Sequence, residues 1–170
     1  MTQKEQEYMD YIEEHINNVK YAYSLMREDL LNTFDVHKDE LDRRILNHDS
    51  SKYTTTEFSG YRQWFYPEPN EHKDENAFNT AWKAHYTTND HHPEHWIIKK
   101  ELVVVMQPGA IAEMFCDWMG MSIKFKTNPV EWYHNKMASK QPFEFHPKTK
   151  ESIENNLWIL KNAYLKVNHK

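Results

Sequence analysis

The chain has 170 residues, a length that suits one domain with its own core. Hydrophobic residues make up 39% and charged residues 28%, which excludes a disordered polymer, and the net charge of −5 argues against a sequence-independent nucleic-acid binder. The single cysteine, Cys116, rules out intramolecular disulfides and cysteine-rich zinc modules, and only three glycines favour helices over a barrel or sandwich.

No apolar run approaches the roughly 20 residues of a membrane helix. The polar start "MTQKEQEYMDYIEEH" lacks a signal-peptide core, so a soluble, cytoplasmic protein is expected.

Residues 5–31 place Tyr8, Ile12, His15, Ile16, Val19, Tyr23, Met26 and Leu30 on one stripe, so a long helix is expected with His15 inside its apolar face. A second helix is expected over 38–52, because Leu41, Ile45, His48, Asp49 and Lys52 share a face at helical spacing. "TTTEF" offers a Thr54-x-x-Glu57 capping box for a short helix towards Trp64. "YPEPNEHKDEN" reads as a loop, and residues 75–88 return to helix with Phe78, Trp82 and His85 on one side. Pro93 suits the first turn of another helix, while "ELVVVM" is β-prone within an otherwise helical reading. "MQPGA" turns the chain into a helix on which Ala110, Met114, Asp117, Trp118 and Met121 share a face. Asn128 caps the next, with Pro129 first and Glu131 third. A last helix over about 148–167 buries Ile153, Leu157, Leu160 and Tyr164. The sum is an all-α bundle forming a single domain over 1–170, with its C-terminal helices (129–167) packed on the rest.

Eleven histidines are the compositional excess. In chain order, His15, His48-Asp49, His85, His91-His92 and Asp117 each meet an apolar face or an end of a different expected helix. Helix bundles build metal sites from such inward side chains. Imidazole nitrogens with carboxylate oxygens, and no thiolate, suit one or two divalent ions of iron, manganese, cobalt or zinc. His37, His72, His134, His146 and His169 stand among loop-type or charged residues and are expected on the surface. His95, one turn from the histidine pair, is placed to be a ligand but is expected in a supporting or exposed position, because the pair already fills that place. Glu94 reads either as a proton shuttle or as an ordinary acid of a first turn. Trp64, Tyr66, Trp82, Trp96 and Trp118 read as core, with a minority lining a pocket.

The order His … His-Asp … Asp on separate helices resembles the HD-domain superfamily of metal-dependent phosphohydrolases, whose dinuclear members carry extra ligands where this chain has His85 and "HH". "HDSSK" is similar to the His-Asp-x-x-Lys of the cyclic-dinucleotide phosphodiesterase branch. The string "NHDSSKY … AWKAHYTTNDHHPEHW … EMFCDW" also resembles an HD-like family of bacterial and phage genomes. The resemblance covers about residues 10–120 and implies an HD-like helical bundle. In that likeness His15, His48, Asp49 and Asp117 hold one metal, and Asp49 bridges to a second held by His85 and by His91 or His92. It implies a metal-activated hydroxide as nucleophile, with Asp49 and Lys52 as the catalytic pair and Lys52 facing substrate phosphate; Lys83 and Arg62 are candidates to assist by their proximity in sequence alone. His85 and His91 are only six positions apart, which leaves one or two metals open. "PEHW" stands where the cyclic-di-GMP enzymes have Gly-Tyr-Pro, which argues against that substrate. The expected substrate is a nucleotide or other small phosphate ester. The same scaffold also suits mixed-valence di-iron oxygenases, and a third reading is a nucleotide-sequestering protein without turnover.

Overall fold

Thr2 and Glu5 exchange the two hydrogen bonds of a capping box and start α1 (Gln3–Phe34). Its stripe buries Tyr8, Ile12, Val19, Met26 and Leu30, with His15 among them. The computed structural model describes residues 1–168; His169, expected on the surface, lies outside them. Among the described residues there are seven α-helices and one two-stranded hairpin, so the fold is an all-α bundle. No helix among them is long and apolar enough to cross a membrane.

α2 (Lys38–Leu46) stops well short of residue 52, which corrects the expected helix. The Asn47 N–H donates to the Arg43 carbonyl and the His48 N–H to that of Ile45, and Asp49 takes a left-handed backbone, φ 55°. A left-handed residue ends the helical ladder, and aspartate is one of the few non-glycine types that adopts it readily. A single 3₁₀ turn, Ser50–Tyr53, then leads to α3 (Thr55–Phe65). The expected capping box is absent: the Thr54 hydroxyl donates to the Ser51 carbonyl at 2.7 Å, and Glu57 turns into the interior.

α3 and α4 (Glu75–Thr88) pack closely because Gly60 faces α4; a Cβ there would stand 2.6 Å from the Ala77 carbonyl oxygen. The segment after α4 forms only a 3₁₀ turn, Pro93–Trp96, in place of the expected helix. β1 (Ile97–Lys99) and β2 (Leu102–Val103) follow as an antiparallel hairpin, with Glu101 left-handed in its turn. The β-branched residues of 97–105 prefer this extended path.

α5 (Pro108–Phe125) is the central helix, buried from Gly109 to Cys116 without a break. It lies along α1, where Gly120 meets the Val19 backbone; an added Cβ would sit 3.0 Å from Val19 N. Gly120→Ala is therefore expected to destabilise the fold by about 1–3 kcal/mol, read from urea unfolding. Asn128 caps α6 (Pro129–Met137) through Val130 and Glu131, and α7 (Pro147–Asn168) covers α1 and α5 with Ile153, Leu157 and Leu160. Cys116 belongs to this core.

Candidate metal centre

Three helices and two connecting turns bring the predicted residues together. α1 supplies His15, the turn after α2 supplies His48 and Asp49, α4 supplies His85, the turn after α4 supplies His91 and His92, and α5 supplies Asp117. His15, His48, Asp49, His85 and His91 are each no more than 3% exposed. Asp49 sits at the middle with its oxygens divided. Oδ2 lies 3.2 Å from His15 Nε2 and 3.7 Å from His48 Nε2, while Oδ1 lies 3.4 Å from His85 Nε2 and 3.5 Å from His91 Nε2. Asp117 closes the first side, its Oδ1 3.4 Å from His15 Nε2. His92 closes the second, its Nε2 2.8 Å from His85 Nε2. Both histidines of the 91–92 pair therefore point inward.

Two buried glutamates orient these rings. Glu113, one turn before Asp117 on α5, accepts from the Nδ1–H of His48 at 2.8 Å and of His91 at 3.2 Å. Glu57 does the same for His85 at 2.8 Å. Arg44 bonds the other Glu113 oxygen at 3.2 Å and forms a fork with Asp90 at 2.7 and 3.1 Å. Asn89 donates to Ser51 Oγ and to the His85 carbonyl, which ties the Asp49 turn to the end of α4. Burial pushes the Glu113 carboxyl up, but its bonds to His48 and His91 outweigh this and hold it well below its usual range.

The donor set fits a divalent ion. With Nδ1 bonded to glutamate, His48, His85 and His91 each turn Nε2 toward the Asp49 carboxylate, itself electron-rich. Asp49 Oδ1 and His91 Nε2 have no hydrogen-bond partner. Acceptors crowded together in a buried cluster require positive charge between them, supplied by protons or by a metal ion. Two sets have donor atoms all within 4.8 Å of one another: Asp49, His85, His91 and His92, and His15, His48 and Asp117. A third, His48, His91 and Glu113, uses the outer nitrogens of rings that already bond Glu113, so it reads as support for the centre.

Charge around the cluster is tuned in the same sense. Burial raises the Asp49 carboxyl, yet Lys52 and the surrounding imidazoles hold it well below its usual value. Burial, with His91 and His85 nearby, pushes His92 well down, so it stays neutral. Burial opposes a charge on His91 too, but Glu113, Asp49 and Asp117 prevail and raise it to about 9. Without metal that ring carries a proton below pH 9, which an incoming ion must displace. Apparent metal affinity is thus expected to rise by about tenfold per pH unit through the neutral range and to level off above about 9, as measured by chelator competition.

Lys52 places Nζ 3.0 Å from Asp49 Oδ2 and lines a cavity of about 650 Å³ that reaches the cluster. A second cavity of about 470 Å³ adjoins His91, His92 and Asp117 from the other side. Glu94 lines it with Oε2 unpartnered, and burial raises that carboxyl. The remaining expected residues lie elsewhere. Lys83 is exposed on the outer face of α4, apart from the cluster, because α4 turns Trp82 and His85 inward. Arg62 is forked onto Glu71. His95 bonds the Tyr86 carbonyl at 2.9 Å and pins the 3₁₀ turn to α4.

Glu57 and Arg44 were not legible as site residues. Glu57 shares its helical face with Gly60 and Tyr61, a spacing that marks it as inward-facing although it also fits a capping box with Thr54.

The chain matches the model of a family described as Family of unknown function (DUF5662) over residues 4–158. No curated protein and no solved structure matches the chain. The matched span contains the whole cluster together with Glu57, Arg44 and Lys52, and the chain belongs to the DUF5662 family.

Proposed function

We propose that this protein is a metal-dependent phosphohydrolase acting on a small phosphate ester. The observation that carries the reading is the convergence of five imidazoles and Asp117 on Asp49, with Lys52 beside it at the end of a cavity. The order of those residues along the chain resembles the HD superfamily, and the reading takes its reaction class from that likeness.

His15, His48, Asp49 and Asp117 would hold one divalent ion, and Asp49, His85, His91 and His92 a second. Iron, manganese, cobalt and zinc all accept such nitrogen and oxygen donors. Ions held there supply Lewis acidity, enough to generate a hydroxide nucleophile near neutral pH and to draw charge from phosphoryl oxygens. The chain's own contribution is placement. Glu57 and Glu113 fix the ring orientations, so the donors need little rearrangement. Lys52 offers an ammonium in a partly buried position, where burial works against its charge but Asp49 more than restores it. That charge meets the negative charge developing on a phosphoryl group.

Lys52→Ala is expected to retain metal and to slow turnover by about a hundredfold. Wild-type rates in that variant would remove the phosphate contact from the account. The reaction class is tested by a phosphate-release screen over nucleotides and simple phosphate esters with manganese, iron and cobalt. Metal-dependent phosphate release supports the hydrolase. Oxygen consumption by the iron-loaded protein without phosphate release contradicts it and assigns an oxygenase.

A further inference from the structure

The lining of the larger cavity bears on what the phosphoryl group is attached to. Its volume of about 650 Å³ suits a small organic molecule rather than inorganic phosphate alone. Tyr8, Tyr11 and Tyr66 form one wall, their ring centroids 5.7 to 6.3 Å apart. Tyr61, Phe78 and Trp82 form a second, with Trp82 set edge-on to His92 at 5.2 Å. Phe65 and Phe125 are each 57% exposed, so rings also stand at the mouth.

The charged lining is sparse by comparison. Apart from the cluster itself, Lys52 is the one cationic side chain among the described residues that line this cavity, and it already faces Asp49. Lys124 lies 4.5 Å from the Tyr11 ring but pairs with Glu14 and does not line the cavity. A polyphosphate tail needs several such cations, and beyond the cluster the polar lining among the described residues is Lys52 and the tyrosine hydroxyls alone. What rings do offer is a stacking surface for a flat, apolar group.

We propose that the site takes a substrate with one phosphoryl group joined to a planar aromatic body, an aryl phosphate monoester, whose ring packs among Tyr66, Phe65 and Trp82 while the phosphoryl group meets Lys52 and the cluster. The inference rests on the phosphohydrolase reading and adds its substrate class. Water attacks phosphorus, the ester P–O bond breaks, and the released aryl oxygen takes up a proton, leaving a phenol and inorganic phosphate.

Binding is measured by calorimetry on the manganese-loaded protein with phenylphosphonate and methylphosphonate, whose P–C bonds do not hydrolyse. Phenylphosphonate is expected to bind about tenfold tighter or more. Tyr66→Leu and Phe65→Ala, each with metal content checked, are expected to narrow that ratio; having two variants guards against one that fails to fold. In turnover, kcat/KM for phenyl phosphate is expected to exceed that for glycerol phosphate and for ATP by about tenfold. Equal affinity for the two phosphonates, or a preference for ATP, overturns the proposal. The two readings fail separately: a phenylphosphonate preference without any phosphate release upholds the aromatic selection and refutes the hydrolase. Equal turnover of aryl and glycerol phosphates does the reverse.

Discussion

Asp49→Asn is expected to abolish metal binding at the second set of donors, to weaken the first, and with them to remove turnover. Asp49 belongs to the second set, its Oδ1 among His85 and His91, and adjoins the first, its Oδ2 among His15 and His48. Asparagine keeps the shape and tolerates the left-handed backbone at φ 55°, so the substitution removes the charge and one acceptor oxygen without disturbing the backbone. Alanine at the same place adds a backbone cost of about 1–2 kcal/mol and confounds the reading. Bound metal is expected to fall to about a tenth of the wild-type content or less, with unfolding in chelator little changed. The measurement is elemental analysis beside urea unfolding.

Glu113→Gln is expected to have the next largest effect, although Glu113 belongs to neither of those two donor sets. One of its oxygens accepts from His48 and His91, and the other accepts from Arg44. A glutamine has only one acceptor oxygen, so its amide N–H₂ must face either the imidazole protons or the guanidinium, donor against donor. The loss is about 1–3 kcal/mol of stability and about 10- to 100-fold in metal affinity. Chelator competition reads the second and urea unfolding the first. Glu57→Gln touches His85 alone and is expected to do less. If the two variants were equal, Glu113 would not be holding two rings at once.

These effects separate what was legible in the sequence from what was not. His15 and Asp117 stood out because each interrupts an apolar stripe at helical period, and helices α1 and α5 turn them inward as that period requires. His85 followed the same rule on α4. Asp49 was legible as an inward residue for a reason that does not hold locally: the helical face that carried it stops at Leu46. A left-handed turn, for which periodicity has no signature, carries it inward instead. Glu57 matched a capping box by spacing, yet Thr54 bonds the Ser51 carbonyl and Glu57 bonds His85, because a partner distant in sequence outweighs a local one. Arg44 and its bonds to Glu113 and Asp90 join residues 69 and 46 positions apart, beyond any spacing rule. The hairpin at 97–103 displaced an expected helix because its β-branched residues prefer extended backbone.

The central claim is that imidazoles from α1, α4 and two turns, with Asp49 and Asp117, enclose metal. Elemental analysis of the protein purified without chelator tests it most directly. One or two equivalents of iron, manganese, cobalt or zinc per chain, lost in Asp49→Asn, is the result predicted. A wild-type protein that carries no transition metal, and takes up none when incubated with manganese or iron salts, contradicts it.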